Sequence, residues 1–171
     1  GLNTVRGQSN NGDGLIGEKI SANEIWGCTT CYACMEKCPV RNEHVPIMVE
    51  MRRRMVEDGA IDIKLQDTLT SLQRYGNSFG KSPRKRSEWA KTIVPPIKNA
   101  LKEPVETLWF VGDYAAYHPS AMKATQMTAD ILNQVGLDYG ILYDNEKSAG
   151  NDVRRTGEEG LFELLAEKNI K

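Results

Sequence analysis

Cys28, Cys31, Cys34 and Cys38, with Pro39 directly after the last, are the only cysteines in a chain of 171 residues. The run reads Cys-Thr-Thr-Cys-Tyr-Ala-Cys-Met-Glu-Lys-Cys-Pro. Thiolates are soft donors that suit iron–sulfur centres and zinc. Three of them at two-residue intervals can wrap a tight loop around one 4Fe–4S cluster, and a fourth, three residues on and followed by proline, reaches a neighbouring cluster. The expected chemistry is one-electron transfer. A structural zinc site is the nearest rival, although such sites usually join two cysteine pairs across a longer connection. A redox dithiol of Cys31 and Cys34 is a second rival. It leaves two thiols without a role and lacks the flanking strand and helix of thioredoxin-like motifs.

A four-iron cluster takes four protein thiolates, so if Cys38 serves a second cluster, each cluster is short of ligands within this chain. In two-cluster ferredoxins each motif lends its last cysteine to the other cluster, and a partner motif outside residues 1–171 would complete both sets. A single cluster held by all four cysteines is the alternative.

Other residues invite a chemical reading. Gly12, Gly14 and Gly17 match G-x-G-x-x-G, but no strand pattern precedes them and no helix pattern opens after them, so nucleotide binding is not expected. His44 lies six residues past Cys38, where it either caps a helix at the surface or tunes a cluster through a hydrogen bond. Arg52, Arg53 and Arg54, and Lys81, Arg84, Lys85 and Arg86, form local basic patches. These read as solvated surface, with nucleic acid or an acidic electron-transfer partner as the functional alternatives. Asp113, Tyr114, Tyr117 and His118 follow an expected strand, where open sheets bind ligands. No nucleophile and base pair stands among them, so no catalytic residue is expected. Arg154 and Arg155 fall near an expected helix start, where they would oppose the helix dipole and call for an anionic partner.

The elements that must position these residues are legible in the pattern. Residues 1–20 are polar, without a sustained period, and read as an extended lead-in. Ser21 caps a short helical turn from Ala22 to Trp26 that delivers the chain into the cysteine loop. Pro46 opens a helix to Asp58 with Gly59 as its stop, and Ile47, Met48, Met51 and Met55 recur on it at helical spacing as core that could shield a cluster. A second helix spans Ile63 to Tyr75. Gly76 to Arg86 is a loop, and Pro95, Pro96 and Pro104 break up the stretch beyond it, placing a boundary near residue 104. Thr107 to Val111 reads as strand, Ser120 to Val135 as helix, Tyr139 to Tyr143 as strand and Asp152 to Lys168 as helix, an alternation that argues for a parallel sheet covered by helices. The expected fold is α+β: a lead-in over 1–20, a helical ferredoxin-type 4Fe–4S module over 21–104, and an incomplete α/β domain over 105–171. Gly1 is not a methionine, and the sequence stops where a third strand would be expected, so a piece of a longer polypeptide is expected.

The cysteine run through Val40, with Glu43-His44-Val45 and Met51-Arg52-Arg53, resembles iron–sulfur proteins related to the D-type subunit of heterodisulfide reductase. The resemblance continues through Phe110-Val111-Gly112-Asp113 and from Lys147-Ser148-Ala149-Gly150 to Phe162. It implies a two-cluster ferredoxin module joined to a cysteine-rich domain, and an electron relay of the kind that runs between electron-transfer flavoprotein and membrane quinones. In that family the cysteine-rich domain places cysteines at positions that match Asp113, Ser148 and Ala149, where they help hold a noncubane cluster or act on disulfides. Asp, Ser and Ala cannot replace thiolates around a soft centre, so disulfide chemistry is not expected here. The chain is expected to relay electrons without substrate chemistry of its own, with disulfide reduction and a zinc-stabilised interaction module as the alternatives.

Lys and Arg total 22 against 23 Asp and Glu, with a pI near 6.2, so nothing in the overall charge points to nucleic acid. No apolar run approaches the roughly 20 residues of a membrane helix. Clustered cysteines favour a reducing compartment over a disulfide framework. The expected setting is cytoplasmic, peripheral to a membrane only through partners. Those partners are other redox subunits, an electron-transfer flavoprotein or a membrane quinone-reactive subunit.

Overall fold

Ser21 closes a capping box. Its hydroxyl accepts from Glu24 N at 3.3 Å, and its own backbone N–H donates to Glu24 Oε2 at 2.7 Å. Two orphan donors are thereby satisfied, and helix α1 (Ala22–Gly27) starts where the sequence places it. The computed structural model describes residues 14–170. Three further helices come next: α2 (Ala33–Glu36), which carries Cys34, α3 (His44–Glu57) and α4 (Ile63–Tyr75). Pro46 sits in the first turn of α3, where its missing N–H costs nothing. Met51 and Met55 pack with Ile25 at 3%, 5% and 0% exposure, flanked by Met48, Trp26, Leu15, Ile16 and Ile20. The methionine stripe is therefore core, while Ile47 is exposed.

Leu15–Lys19 is a bent turn, with non-helical backbone at Ile16 and Gly17, closed by hydrogen bonds between Gly17 N and Ile20 O and between Ile20 N and Leu15 O. No regular helix opens after Gly14, and Gly12 lies outside the described residues.

Two compact units divide the described chain: residues 14–62 with 151–162, and residues 63–150 with 163–170. The second contains a three-stranded parallel sheet in the order β1-β3-β2, with β1 at Lys98–Asn99, β2 at Thr107–Leu108 and β3 at Tyr139–Ile141. Lys98 pairs with Gly140 and Asn99 with Ile141 on one side of β3, and Thr107 pairs with Tyr139 and Leu108 with Gly140 on the other. Gly140 is forced by this close approach, because a Cβ there would lie 2.9 Å from Lys98 O. A strand that the sequence pattern did not offer, Lys98–Asn99, thus lies ahead of residue 104 and completes the three. The strand expected over Thr107–Val111 is shorter: Trp109 N makes a last bond to Gly140 O, and beyond it Val111 and Gly112 give their N–H groups to the Glu146 carboxylate instead of the ladder. Helices α5 (Asp113–Tyr117) and α6 (Pro119–Gln134) follow β2. Trp89, Ile93, Ile97, Tyr117, Ala129, Tyr139 and Ile141 form the core, with Trp109 edge-on to Trp89 at 5.6 Å.

The helix expected over Asp152–Lys168 is two helices, α7 (Asn151–Arg155) and α8 (Glu159–Ile170). Gly157 breaks it. Its φ is +94°, and a Cβ there would lie 2.6 Å from the Cα of Arg53 on α3.

Candidate metal centre

The cysteine loop turns through residues in unusual conformations. Thr30, Tyr32 and Arg41 hold φ of 53°, 63° and 52°, the left-handed region in which a β-branched residue such as Thr is an outlier costing roughly 1–3 kcal/mol. Thr30 and Tyr32 stand on either side of Cys31, so the backbone folds back on itself within the loop. The strain at Thr30 is held in place: the residue is buried, its hydroxyl donates to Thr29 O, and Arg155 Nη2 donates to its carbonyl at 3.0 Å. The Tyr32 carbonyl accepts from Met35 and Glu36 N–H groups, which starts α2 around Cys34.

The sulfur atoms meet hydrogen-bond donors. The Ala33 backbone N–H, then the Thr29 side chain, hold the Cys31 thiol below its ordinary pKa, and the Arg155 guanidinium adds to the effect. Cys38 is lowered chiefly by the Asn42 N–H, which lies 3.4 Å from its Sγ, and then by that of Val40. Donors that lower a thiol's pKa favour the thiolate, the form that ligates metal. His44 reaches Cys34 Sγ with Nε2 at 2.7 Å and the Asn42 carbonyl with Nδ1 at 3.1 Å. A neutral ring that donates from Nδ1 must accept at Nε2, so only an imidazolium can donate to both.

All the candidate donors are sulfur, on a single loop, with amide N–H groups aimed at two of them. Cys28 and Cys38 are half-buried, and Cys31 and Cys34 are exposed. Among the described residues, no three Cys, His, Asp or Glu side chains are gathered into a cage for a single metal ion. The donor chemistry fits an iron–sulfur group, in which thiolates ligate and N–H···S bonds tune the centre. Beside Cys31 opens a cavity of about 580 Å³ lined by Thr30, Tyr32, Arg53, Arg154 and Glu159.

Several expectations about charge are corrected here. Arg52 and Arg86 do not belong to solvated patches, being 5% and 3% exposed. Arg154 and Arg155 end α7, where a cation complements the helix dipole. Both are held locally: Arg154 pairs with Glu159 at 3.3 Å and lies over Phe162, while Arg155 binds Thr30. Arg155 and Arg52, singled out from sequence as charge for surface or partner, instead bind the carbonyls of the cysteine loop. A signal existed for Arg52, which interrupts the inward stripe Val45-Met48-Met51-Met55 at a helical position.

In the second unit, Asp113 and Ser148 meet around a buried ion network. Arg86 donates to Asp113 and to Glu146, the latter at 2.7 Å, and to the Gly76 carbonyl, which also accepts from Ser148 N. Glu146 is 2% exposed and takes two further N–H donors, from Val111 and Gly112. Burial pushes its carboxyl up, against these donors and Arg86. Ala149 is exposed. Of the other residues after β2, Tyr117 is buried in the core, and Tyr114 stacks on His118 at 4.4 Å. These groups carry charge and packing but no thiol.

An all-thiol donor set on such a loop suits an iron–sulfur group, and the proteins this chain resembles include iron–sulfur oxidoreductases. The chain is similar to proteins named as iron–sulfur oxidoreductases and to the D-type subunit of heterodisulfide reductase. It is 39% identical over 163 residues to the probable iron-sulfur-binding oxidoreductase FadF of Bacillus subtilis, covering 91% of this chain and 23% of that protein. It is 31% identical over 162 residues to the EtfAB:quinone oxidoreductase of Syntrophomonas wolfei, covering 92% and 23%. With the D-type subunit of the dihydromethanophenazine:CoB–CoM heterodisulfide reductase of Methanosarcina mazei it shares 26% over 153 residues, covering 87% and 36%. The chain thus spans about a quarter to a third of these relatives' length. No protein-family model matches the chain, and no solved structure does.

Proposed function

We propose that this chain is an electron-transfer segment of a larger iron–sulfur oxidoreductase. In this reading Cys28, Cys31 and Cys34 hold one 4Fe–4S cluster, and Cys38 ligates a neighbouring one whose other ligands lie outside residues 1–171. Such a cluster, when bound, takes up and gives back single electrons. The observation that carries the reading is the four-cysteine loop, with its strained turns and its N–H donors on Cys31 and Cys38. The relatives' names agree with it.

The chain's own residues hold the loop in shape. Arg52, donating to the Cys28 carbonyl, and Arg155, donating to the Thr30 carbonyl, hold the Cys28–Cys31 turn, and Met51 and Met55 of α3 pack against Ile25. The first unit is read as the ferredoxin-type module. The second is read as scaffold and partner surface, with the ion network of Arg86, Asp113 and Glu146 where the resemblance places thiolates. The proposed donor is a soluble protein such as an electron-transfer flavoprotein, and the proposed acceptor a quinone or its membrane subunit. Among the described residues no helix is long and apolar enough to cross a membrane, and we place the chain on the cytoplasmic side, reaching a membrane through partners.

Substituting Cys38→Ser tests the ligand assignment. Electron paramagnetic resonance of the reduced protein should then show a perturbed second cluster, with the signal of the cluster on Cys28, Cys31 and Cys34 retained. Loss of that signal alone would defeat the exchange of ligands.

A further inference from the structure

Arg52 occupies an inward position on α3, four residues from Met48 and three from Met55, and is 5% exposed. Its donors go to backbone carbonyls: Nε and Nη2 to Ile25 at 3.3 and 2.8 Å, Nη2 also to Cys28, and Nη1 to Arg155 at 3.0 Å. The guanidinium carbon lies 5.0 Å from the Trp26 ring centre. Among the described residues Arg52 forms no ion pair, in contrast to Arg86, which carries two carboxylates. Carbonyl dipoles and a π-face satisfy its hydrogen bonds but leave its charge unmatched, and an unmatched buried charge is strongly unfavourable. Burial is the largest effect on the guanidinium and disfavours its charge; Cys28 opposes that effect, and the Arg155 guanidinium adds to it.

We propose that Arg52 is the buried counter-charge of the centre that Cys28 ligates, and that it both positions Cys28 and sets the centre's reduction potential. The proposal rests on the cluster reading above. A thiolate-ligated iron–sulfur group is anionic, and taking one electron from a donor makes its site one unit more negative, with no bond formed or broken. A fixed cation behind the ligand favours that more negative state, and burial keeps salt from screening it. The same side chain ties the carbonyls of Ile25 and Cys28 to that of Arg155, so one residue fixes both the entry to the loop and the helix end that holds Thr30.

The charge and the geometry separate experimentally. Arg52→Gln removes the charge and keeps donors, while Arg52→Lys keeps the charge and loses the planar fork. The protein as its host makes it would be purified anaerobically, analysed for iron and sulfide, and titrated with dithionite under electron paramagnetic resonance. The relevant signal is the one lost in Cys28→Ser. In Arg52→Gln the reduced-to-oxidised ratio at fixed potential should fall at least tenfold, equivalent to about −59 mV for one electron. Arg52→Lys should stay within about threefold of the parent. A loaded Gln variant without that fall, or a Lys variant that falls as far as Gln, overturns the proposal. If Gln does not load, Lys decides: loading with a ratio within threefold supports the counter-charge, and failure to load or a larger fall overturns it. A parent without iron and sulfide defeats instead the cluster reading beneath it.

Discussion

Arg86 holds two carboxylates at once, Asp113 and Glu146, in a pocket where all three side chains are at most 10% exposed. Removing one member leaves an unpaired buried charge, so Arg86→Met is expected to cost about 3–5 kcal/mol of stability. Adding Glu146→Gln and Asp113→Asn to it should recover much of the loss, because the stranded charges go too. Urea titrations of the single and triple variants check both expectations, and a triple variant less stable than the single one would contradict them. Gly157 is a second residue with a narrow tolerance. Alanine there would need φ near +94° and a Cβ against the Arg53 backbone, so Gly157→Ala should lower stability by roughly 2–3 kcal/mol, read as a lower urea midpoint. Beyond the place of Arg52 in the apolar stripe of α3, neither arginine pocket was legible in the sequence: charge type predicts surface, and the partners of Arg52 and Arg86 lie 27 and 60 residues away in the chain. The four cysteines were legible, because their identity and spacing lie within one loop.

Elements with local signals formed where the sequence put them. Ser21, Pro46, Gly59 and the apolar period define α1, α3 and α4 within a residue or two, and α6 likewise runs to Gln134 ahead of Gly136. The strands were harder, since segments of two or three residues are defined by pairing across the sheet and by Glu146, which takes over the N–H groups after β2. The break at Gly157 also has a tertiary cause, the approach of α3. One local device makes a pH-dependent prediction. Hydrogen bonds from the Ser21 side chain and backbone lower the Glu24 pKa. A carboxyl with a depressed folded pKa contributes stability above its unfolded value of about 4.3, and that contribution is lost as pH falls through the folded value. Amide exchange protection in α1 should therefore decline on acidification below that unfolded value. Ser21→Ala should weaken α1 by about 1 kcal/mol and make this decline smaller, since the backbone N–H at position 21 still donates to Glu24; an unchanged pH profile in the variant would count against the cap.

At the scale of the molecule, the first unit presents a thiol loop built on a methionine core, and the second a parallel sheet with a buried ion network. The parallel character of the sheet was legible from strand and helix alternation. Its β1 was not, because Lys98–Asn99 sits among prolines that read as breakers. The relatives share nearly the whole of this chain, while this chain covers a minor part of each. The relay reading depends first on what the thiols bind. Iron, acid-labile sulfide and zinc measured together on anaerobically purified protein address that directly. The account predicts iron and sulfide in near-equal amounts with zinc at background, whereas stoichiometric zinc without sulfide would contradict it.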